Sequence, residues 1–405
     1  EDEHKRKRAL FWGVFVNLAL LGVFKYAGLA VTTLNTICGT AFTVPEIALP
    51  IGISFFTFQI MSYVIDVYRY KVAPQKNIFI VAVYLCAFPQ LIAGPIIKYK
   101  ELADQMNYRT HSPEQFASGV QVFTVGLAKK VLLANNIGKL WDTILALPAG
   151  ELTTAGAWLG VAAFAFQLYF DFSGYSDMAL GLGRALGFAC PENFDHPYAA
   201  VSITDFWRRW HISLSLWFRD YLYIPLGGSR RGKWRTALNK AVVFVLCGLW
   251  HGANLTFVVW GAWHGLLSAL ESLRVLDVQR WRRSAAGRLL SRVYTLLAVC
   301  LGFAMFRAES VTAGFTLIAA MFTGWDFTLE GTVLLQTALG GWTVCMLVLG
   351  AVCSAPVLER ARALLKGRAI AAADGLSYAV CAVLLVFNCA AMASGGFAPF
   401  IYFQF

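Results

Sequence analysis

FWRRWHISLSLWFRDYLYIPLGGSRRGKWRTALNKAVVFVLCGLWHGANLTFVVWGAWHG, residues Phe206 to Gly265, is the stretch whose reading decides the fold. It opens on aromatic and charged residues, passes the basic loop Arg230, Arg231, Lys233 and Arg235, and ends in two apolar runs that meet at Trp250-His251-Gly252. An imidazole thus stands where a lipid-facing chain avoids ionisable groups, and in membrane proteins such residues face a bundle interior or a wet cavity. A second basic cluster, Arg274 to Arg292, follows. Short loops rich in Lys and Arg stay cytoplasmic, so Thr236 to Leu273 must leave and return. Two half-length helices meeting at His251-Gly252 satisfy this, and so do two thinner full crossings. At ~1.5 Å per residue, ~15 residues from the interface reach ~22 Å, which places His251 deep in the bilayer.

The rest of the chain agrees. Of 405 residues, 58% are hydrophobic and only 14% charged, which excludes an ordinary soluble domain. Apolar runs near the ~20 residues needed to cross a bilayer recur throughout, the pattern of an all-α, polytopic transmembrane protein. No long polar linker divides the sequence, so residues 1–405 read as a single membrane domain. The formal net charge of +11 comes from basic residues in short loops. There it orients the chain and implies no nucleic acid. The nine cysteines lie mostly inside apolar runs with no C-x-x-C pair and read as inert thiols. Cys247 stands one turn before His251, but no third ligand is evident, so no metal is expected.

The first span runs from about Ala9 to Leu34, behind Lys5-Arg6-Lys7-Arg8. A signal peptide has a shorter apolar core and a small-residue cleavage site, so this reads as a retained helix with a cytoplasmic start. The second span, about Ala48 to Val67, ends in the basic stretch Arg69 to Lys76. A third run, Ile78 to Ile97, contains Pro89 and Gly94-Pro95, so its second half reads as broken or re-entrant. Ser112-Pro113-Glu114 carries a helix start. Apolar positions then recur to about Leu147, interrupted by Lys129-Lys130 and Asn135-Asn136, which predicts one helix with a wet end or two shorter ones.

Ala155 to Phe166 begins another span and runs into Gln167 to Asp177, where polar and aromatic groups alternate as in a cavity lining. A solvated loop is the plainer reading. Asp195 to Trp234 is never apolar for long enough to cross and belongs at the interface or folded against other helices. Beyond the second basic cluster, Leu289 to Phe306 crosses outward. Arg307 to Gly331 forms an outer segment with a short helix near Ala313 to Phe322. Val333 to Ala355 crosses back to the basic loop Glu359 to Arg368, and Ala371 to Ser394 crosses outward again, leaving FIYFQF (Phe400 to Phe405) outside.

Acyl transfer to a hydroxyl needs a base beside the nucleophile, and a neutral imidazole serves. His211 and His251 are the candidates, on separate segments; a hydrogen-bonded structural histidine is the plainer reading of either. Trp263-His264-Gly265 echoes Trp250-His251-Gly252, and the residues alone hardly rank the two. Asn254, three residues past His251, is placed to orient it or to donate to an oxyanion. Arg208, Arg209, Arg219 and Asp220 flank His211 and suit either recognition of a phosphorylated donor or interfacial anchoring. Asp171, Tyr175 and Asp177 either shape a cavity or, for the aspartates, cap helices.

The stretches Tyr169 to Gly181 (YFDFSGYSDMALG), Phe206 to Gly228 and Leu249 to Gly265 resemble the membrane-bound O-acyltransferase family, and most of all its bacterial alginate O-acetylating branch. The resemblance implies a helical ring with re-entrant or half-length helices around a central catalytic tunnel. There a cytoplasmic acyl donor and an outer acceptor meet. It implies that His251 holds the position of the family's essential histidine and His211 that of its second motif. Family members usually begin with additional hydrophobic segments, so the first spans of the family are expected to be missing here. The terminal peptide resembles the aromatic end of such proteins, which makes Tyr402 a candidate acyl relay beside the plainer reading of an aromatic anchor.

Together these readings describe a bacterial inner-membrane O-acetyltransferase with a periplasmic C-terminus. It uses acetyl-CoA as co-substrate and needs no other cofactor. The resemblance implies a soluble periplasmic SGNH-type acetyltransferase partner that delivers the acetyl group to a polysaccharide. A transporter or a non-catalytic scaffold of an export complex is the rival reading, since buried His, Asp and Arg also mark transport pathways.

Overall fold

The computed structural model describes residues 2–45, 47–87, 91, 94–147, 152–323, 325, 329–395 and 399–401, and among these the regular structure is entirely helical. The first helix, α1 (Glu3–Cys38), is capped by Asp2 Oδ1, which accepts from the His4 N–H at 3.0 Å, and is ended by Gly39 at φ 64°. α2 (Ile53–Tyr68) packs on it and buries Phe55, Phe58 and Met61. The third expected span is helical only over α3 (Ile78–Cys86). Pro89 falls outside the described residues, and residues 94–98 lie in irregular structure before α4 (Tyr99–Asn107).

Ser112 starts the next helix as expected, its Oγ accepting from the Gln115 N–H at 3.1 Å. α5 (Pro113–Ala128) and α6 (Asn135–Leu145) do not separate at Lys129-Lys130. A π-helical turn, Lys129–Ala134, joins them into one stretch of 33 residues. Such turns often mark functional sites, because the wider coil re-aims side chains. Here it coincides with two lysines that pair with the long helix α7 (Thr154–Ala185): Lys129 with Asp177 at 2.6 Å, and Lys130 with Asp171. α7 runs unbroken through Gln167 to Asp177, so that stretch is a helix inside the protein and no solvated loop. Neither aspartate caps it. Contact between α5 and α7 needs glycine: a Cβ on Gly126 would sit 2.7 Å from the Gly174 carbonyl oxygen, closer than real atoms approach.

The segment Asp195 to Trp234 holds the short helices α8 (Ile203–Arg209) and α9 (Ile212–Phe218) and a π-helical turn over Arg219–Tyr223, none of spanning length. It leads into the hairpin of α10 (Lys233–His251) and α11 (Leu255–Leu273). Each has 19 residues, ~28 Å at the α-helical rise. That is longer than the ~22 Å expected, because α10 begins inside the basic cluster. Each is near the length of a full crossing, but neither is among the stretches that are both long and apolar enough to span. His251 is the last residue of α10, at the reversal.

α12 (Val278–Trp281) and α13 (Ala285–Arg307) follow, and α13 buries Val299, Phe303 and Phe306 against the centre. The short helix expected near Ala313 to Phe322 is α14 (Val311–Thr323). The crossing expected over Val333 to Ala355 is interrupted: α15 (Leu329–Ala338) ends before Gly340-Gly341 and α16 (Gly341–Cys353) restarts. Two adjacent glycines there weaken a continuous helix. α16 then bends by 52° into α17 (Val357–Ala363), and α18 (Arg368–Ser394) closes the chain.

Among the described residues, five stretches are long and apolar enough to cross a membrane: α1, α5–α6, α7, α13 and α18. The bent pair α16–α17 makes a sixth. α1 and α18 expose Phe11, Trp12, Phe15, Val383, Val386 and Phe387, faces that only lipid can cover at low cost. α7 instead buries most of its length and forms the axis on which the central segments pack.

Candidate active site

His211 lies between α8 and α9 with φ 45° and ψ 56°, the left-handed region that a β-carbon makes costly. The strained backbone turns the chain sharply and aims the imidazole inward, where it is 1% exposed. Its ring meets Phe172 edge-on at 4.7 Å. His251 reaches the same space from the end of α10, half-buried against Trp260 and Phe306. Both imidazoles line one narrow cavity, together with Asp171 and Tyr175 from α7 and with Phe400 and Ile401 from the C-terminal peptide. Segments far apart in sequence therefore supply a common wall of two histidines and one carboxylate.

The C-terminal peptide is tied into that wall by α7. Asp171 Oδ2 accepts from the Ile401 N–H at 2.7 Å, while its Oδ1 takes the ammonium of Lys130. Lys130 also donates to the Pro399 carbonyl at 3.2 Å, and Phe400 packs edge-on against Tyr175 at 4.8 Å. Charged groups this deep are costly unless paired and hydrogen-bonded, and here each meets its partners. Tyr402 lies outside the described residues; it directly follows Ile401, which lines the cavity.

His264 has a different setting. It is fully buried, Trp207 Nε1 donates to its Nδ1 at 3.3 Å, and a Cβ on Gly302 would come within 2.7 Å of its Nε2. The ring is enclosed by Phe206, Trp207, Phe244 and Trp260 and does not line the cavity.

Other sequence candidates are placed elsewhere. Asn254 caps α11, its Oδ1 accepting from the Thr256 N–H at 3.0 Å while its Nδ2 donates to the Glu309 carbonyl at 2.9 Å, so its amide is spent on local structure. Asp177 pairs with Lys129 and stands off the cavity wall. Arg209 is held by Asp195 and Asp205, both at 3.2 Å. Arg208 lines a separate basic pocket with Lys240, Arg274, Arg280, Arg282 and Arg283. Glu271 borders that pocket too, but accepts from the Ile203 and Thr204 backbone, the Thr204 hydroxyl and Tyr294. Asp205 and Asp277 line it as well, so six basic side chains there face three carboxylates and the balance is positive. A third pocket, lined by Val243, Phe244 and Cys247, shares Lys240 with the basic pocket and Trp207 and Leu214 with the histidine cavity. The shared residues make the three pockets neighbours.

Lys25, on α1, was not among the sequence candidates. Its ammonium donates to the His251 carbonyl at 2.8 Å and also to that of Trp250, while Tyr26 donates to that of Leu249. These are the orphan carbonyls at the end of α10, where a cation is favoured. The signal available in the sequence was a lone lysine inside an otherwise apolar span.

Residues 71–312, which hold both cavity histidines, match the sequence profile of MBOAT, the membrane-bound O-acyltransferase family. The chain belongs to this family. Its relatives place it in the alginate O-acetylase branch. The "Probable alginate O-acetylase AlgI" of Pseudomonas putida KT2440 is 41% identical over 98% of this chain and 84% of that protein. The protein of the same name from Pseudomonas aeruginosa PAO1 is 47% identical over 78% of this chain and 61% of its own length. The "Peptidoglycan O-acetyltransferase" of Helicobacter pylori 26695 is 34% identical over 77% of this chain and 64% of its own. The chain thus spans less than two thirds of the last two relatives. As a member of the family it is a multi-pass membrane acyltransferase, and the bilayer is its solvent.

Proposed function

We propose that this MBOAT protein moves an acetyl group from a cytoplasmic thioester donor, acetyl-CoA, across the bacterial inner membrane for O-acetylation of an extracytoplasmic polysaccharide of the alginate type. The observation that carries the reading is the convergence of His211, His251 and the clamped C-terminal peptide on one cavity. The names of the relatives support acetyl as the group and alginate as the acceptor class. The basic pocket suits the phosphates of the donor, and the apolar pocket beside it suits a thin acyl-bearing arm.

In this reading the Tyr402 phenol attacks the acetyl carbonyl while His251 accepts its proton. The C–O bond forms, the C–S bond breaks, and the thiolate leaves as the thiol by taking that proton back. The acetyl-tyrosine ester then passes its group to the hydroxyl of a periplasmic SGNH-type partner, which delivers it to the polymer. Asp171 and Lys130 hold the peptide in place for the first step, and positioning of this kind lowers the barrier by removing motional freedom. His211 is the second polar group of the centre. The C-terminal peptide lies on the periplasmic side.

The test is acetyl transfer by the purified protein in nanodiscs with labelled acetyl-CoA. An adduct seen by intact mass, lost in Tyr402→Phe and in His251→Ala, supports the relay. Full activity of His251→Ala rejects the assignment of the base. An active wild type without adduct rejects the relay and leaves direct transfer. A transporter or scaffold would show no donor-dependent label in either case.

A further inference from the structure

Asn193 precedes α8 and is 2% exposed. Its Oδ1 accepts from the Ser213 backbone N–H at 3.1 Å and from the Ser213 hydroxyl at 2.9 Å, and it faces His211 Nδ1 at 3.2 Å. A backbone N–H only donates, so the amide cannot be turned round without setting two donors against each other. The other end agrees, with Nδ2 donating to Ser176 Oγ at 3.2 Å. The atom facing His211 is therefore an oxygen, and a carbonyl oxygen only accepts, so the hydrogen of a neutral His211 ring sits on Nδ1.

Nε2 is then left with its lone pair. It is buried and has no hydrogen-bond partner among the described residues, and the ring lines the cavity that His251 also reaches. The backbone joins the same clamp, since the Ile212 N–H donates to the Asn193 carbonyl at 2.9 Å. That bond helps hold His211 in its strained left-handed conformation. A buried, unsatisfied acceptor costs about 1–3 kcal/mol and calls for an explanation beyond packing.

We propose that Asn193 is a positioning residue that fixes His211 as the Nδ1–H tautomer and presents Nε2 to the cavity as a proton acceptor for the attacking hydroxyl. This rests on the acyl-transfer reading above and extends it. His211 is more than a polar neighbour, and the centre holds two imidazoles able to take a proton. His251 serves the first transfer; in the second, the proton leaves the accepting hydroxyl for Nε2 as the new C–O bond forms, and returns to the departing tyrosine oxygen as the acetyl-tyrosine C–O bond breaks. Asn193 Oδ1 stabilises the intervening imidazolium through Nδ1–H.

Two measurements test the proposal. The first needs no activity. In wild-type protein labelled with nitrogen-15 histidine in nanodiscs, the signals absent from His211→Gln should show a protonated Nδ1 and an unprotonated Nε2; the opposite pattern overturns the proposal. The second is kinetic. Loss of an orienting partner of this kind costs roughly 10–100-fold, so kcat of Asn193→Ala should fall by about that factor. Asn193→Asp keeps the acceptor, and its negative charge makes Nε2 more basic. This variant should recover most of the activity and move the acidic limb of the kcat profile to higher pH, which a merely structural contact would not do. Wild-type kcat in Asn193→Ala, or an unmoved limb in Asn193→Asp, overturns the positioning role. A wild type without acetyl transfer fails the functional reading instead, and the nitrogen-15 result then decides the tautomer alone.

Discussion

Trp250-His251-Gly252 and Trp263-His264-Gly265 carry the same three residues, yet the fold gives them opposite surroundings. His251 ends a helix, and Gly252 lets the chain reverse where a Cβ would lie 2.5 Å from the Phe257 ring. His264 sits inside α11, against Trp207 on one side and the backbone of α13 at Gly302 on the other. One imidazole opens onto a cavity shared with His211, and the other is sealed among aromatic rings. What a histidine can do is set by the exit its neighbours leave it.

The comparison breaks most easily at the chemistry. Removing a positioned base costs on the order of 10²–10⁴-fold, so His251→Ala should lose acetyl transfer by that factor while the protein stays folded in detergent. His264→Ala should keep kcat per folded molecule within a few-fold. If the two variants lose activity equally, the distinction between open and sealed histidines is wrong.

The anchor of the terminal peptide comes next in size. Breaking one partner of a buried ion pair costs about 3–5 kcal/mol, and Lys130 with Asp171 is such a pair. Lys130→Met should free Pro399 to Ile401, seen as faster protease trimming of the C-terminus, and should lower acetyl transfer. Unchanged trimming would detach the clamp from the site.

A smaller effect sharpens the sealed side. Trp207→Phe removes the donor to His264 Nδ1, and a buried acceptor left unpaired costs about 1–3 kcal/mol. The melting temperature should fall, and because Phe keeps an aromatic ring where Trp207 lines the histidine cavity, kcat per folded protein should change by no more than a few-fold. A large loss of kcat at an unchanged melting temperature, seen also in His264→Ala, would show that His264 communicates with the chemistry.

The long elements of this fold were legible because length and hydropathy encode them locally. α1, α7, α13 and α18 all appear where the apolar runs stand, and Ser112 caps the helix that it announces. The break before Gly341 was missed although Gly340-Gly341 announces it, because the apolar residues on both sides add up to one spanning length. The length of α10 was missed because charged residues at its start looked like loop. Of the site, His211, His251, Asp171 and Tyr175 were visible as polar residues in apolar company. Asn193, Lys25 and Lys130 were not singled out, since their roles exist only through contacts made across the fold. Lys25 lies 226 residues from the carbonyl it caps. No periodicity encodes such a pairing.

Lys25 also gives the smallest and most selective test of the comparison. α11 continues past His264, so that residue's carbonyl stays within its helix, whereas α10 stops at His251 and leaves its last carbonyls to an outside donor. A cation at a helix C-terminus contributes about 0.3–1 kcal/mol, up to ~2 kcal/mol when partly buried. Lys25→Met keeps the bulk and removes the charge. It should loosen the reversal at Gly252 and lower kcat by a few-fold, with the melting temperature nearly unchanged. Lys25→Arg, which still donates, should restore most of the rate. The lysine meets the end of α10 through its last carbonyls and, at 5.5 Å, through the Trp250 ring, so a loss acts through the end of the helix that carries His251. A melting-temperature drop as large as that of Trp207→Phe, with kcat intact, would make Lys25 a simple staple between α1 and α10 and remove it from the site.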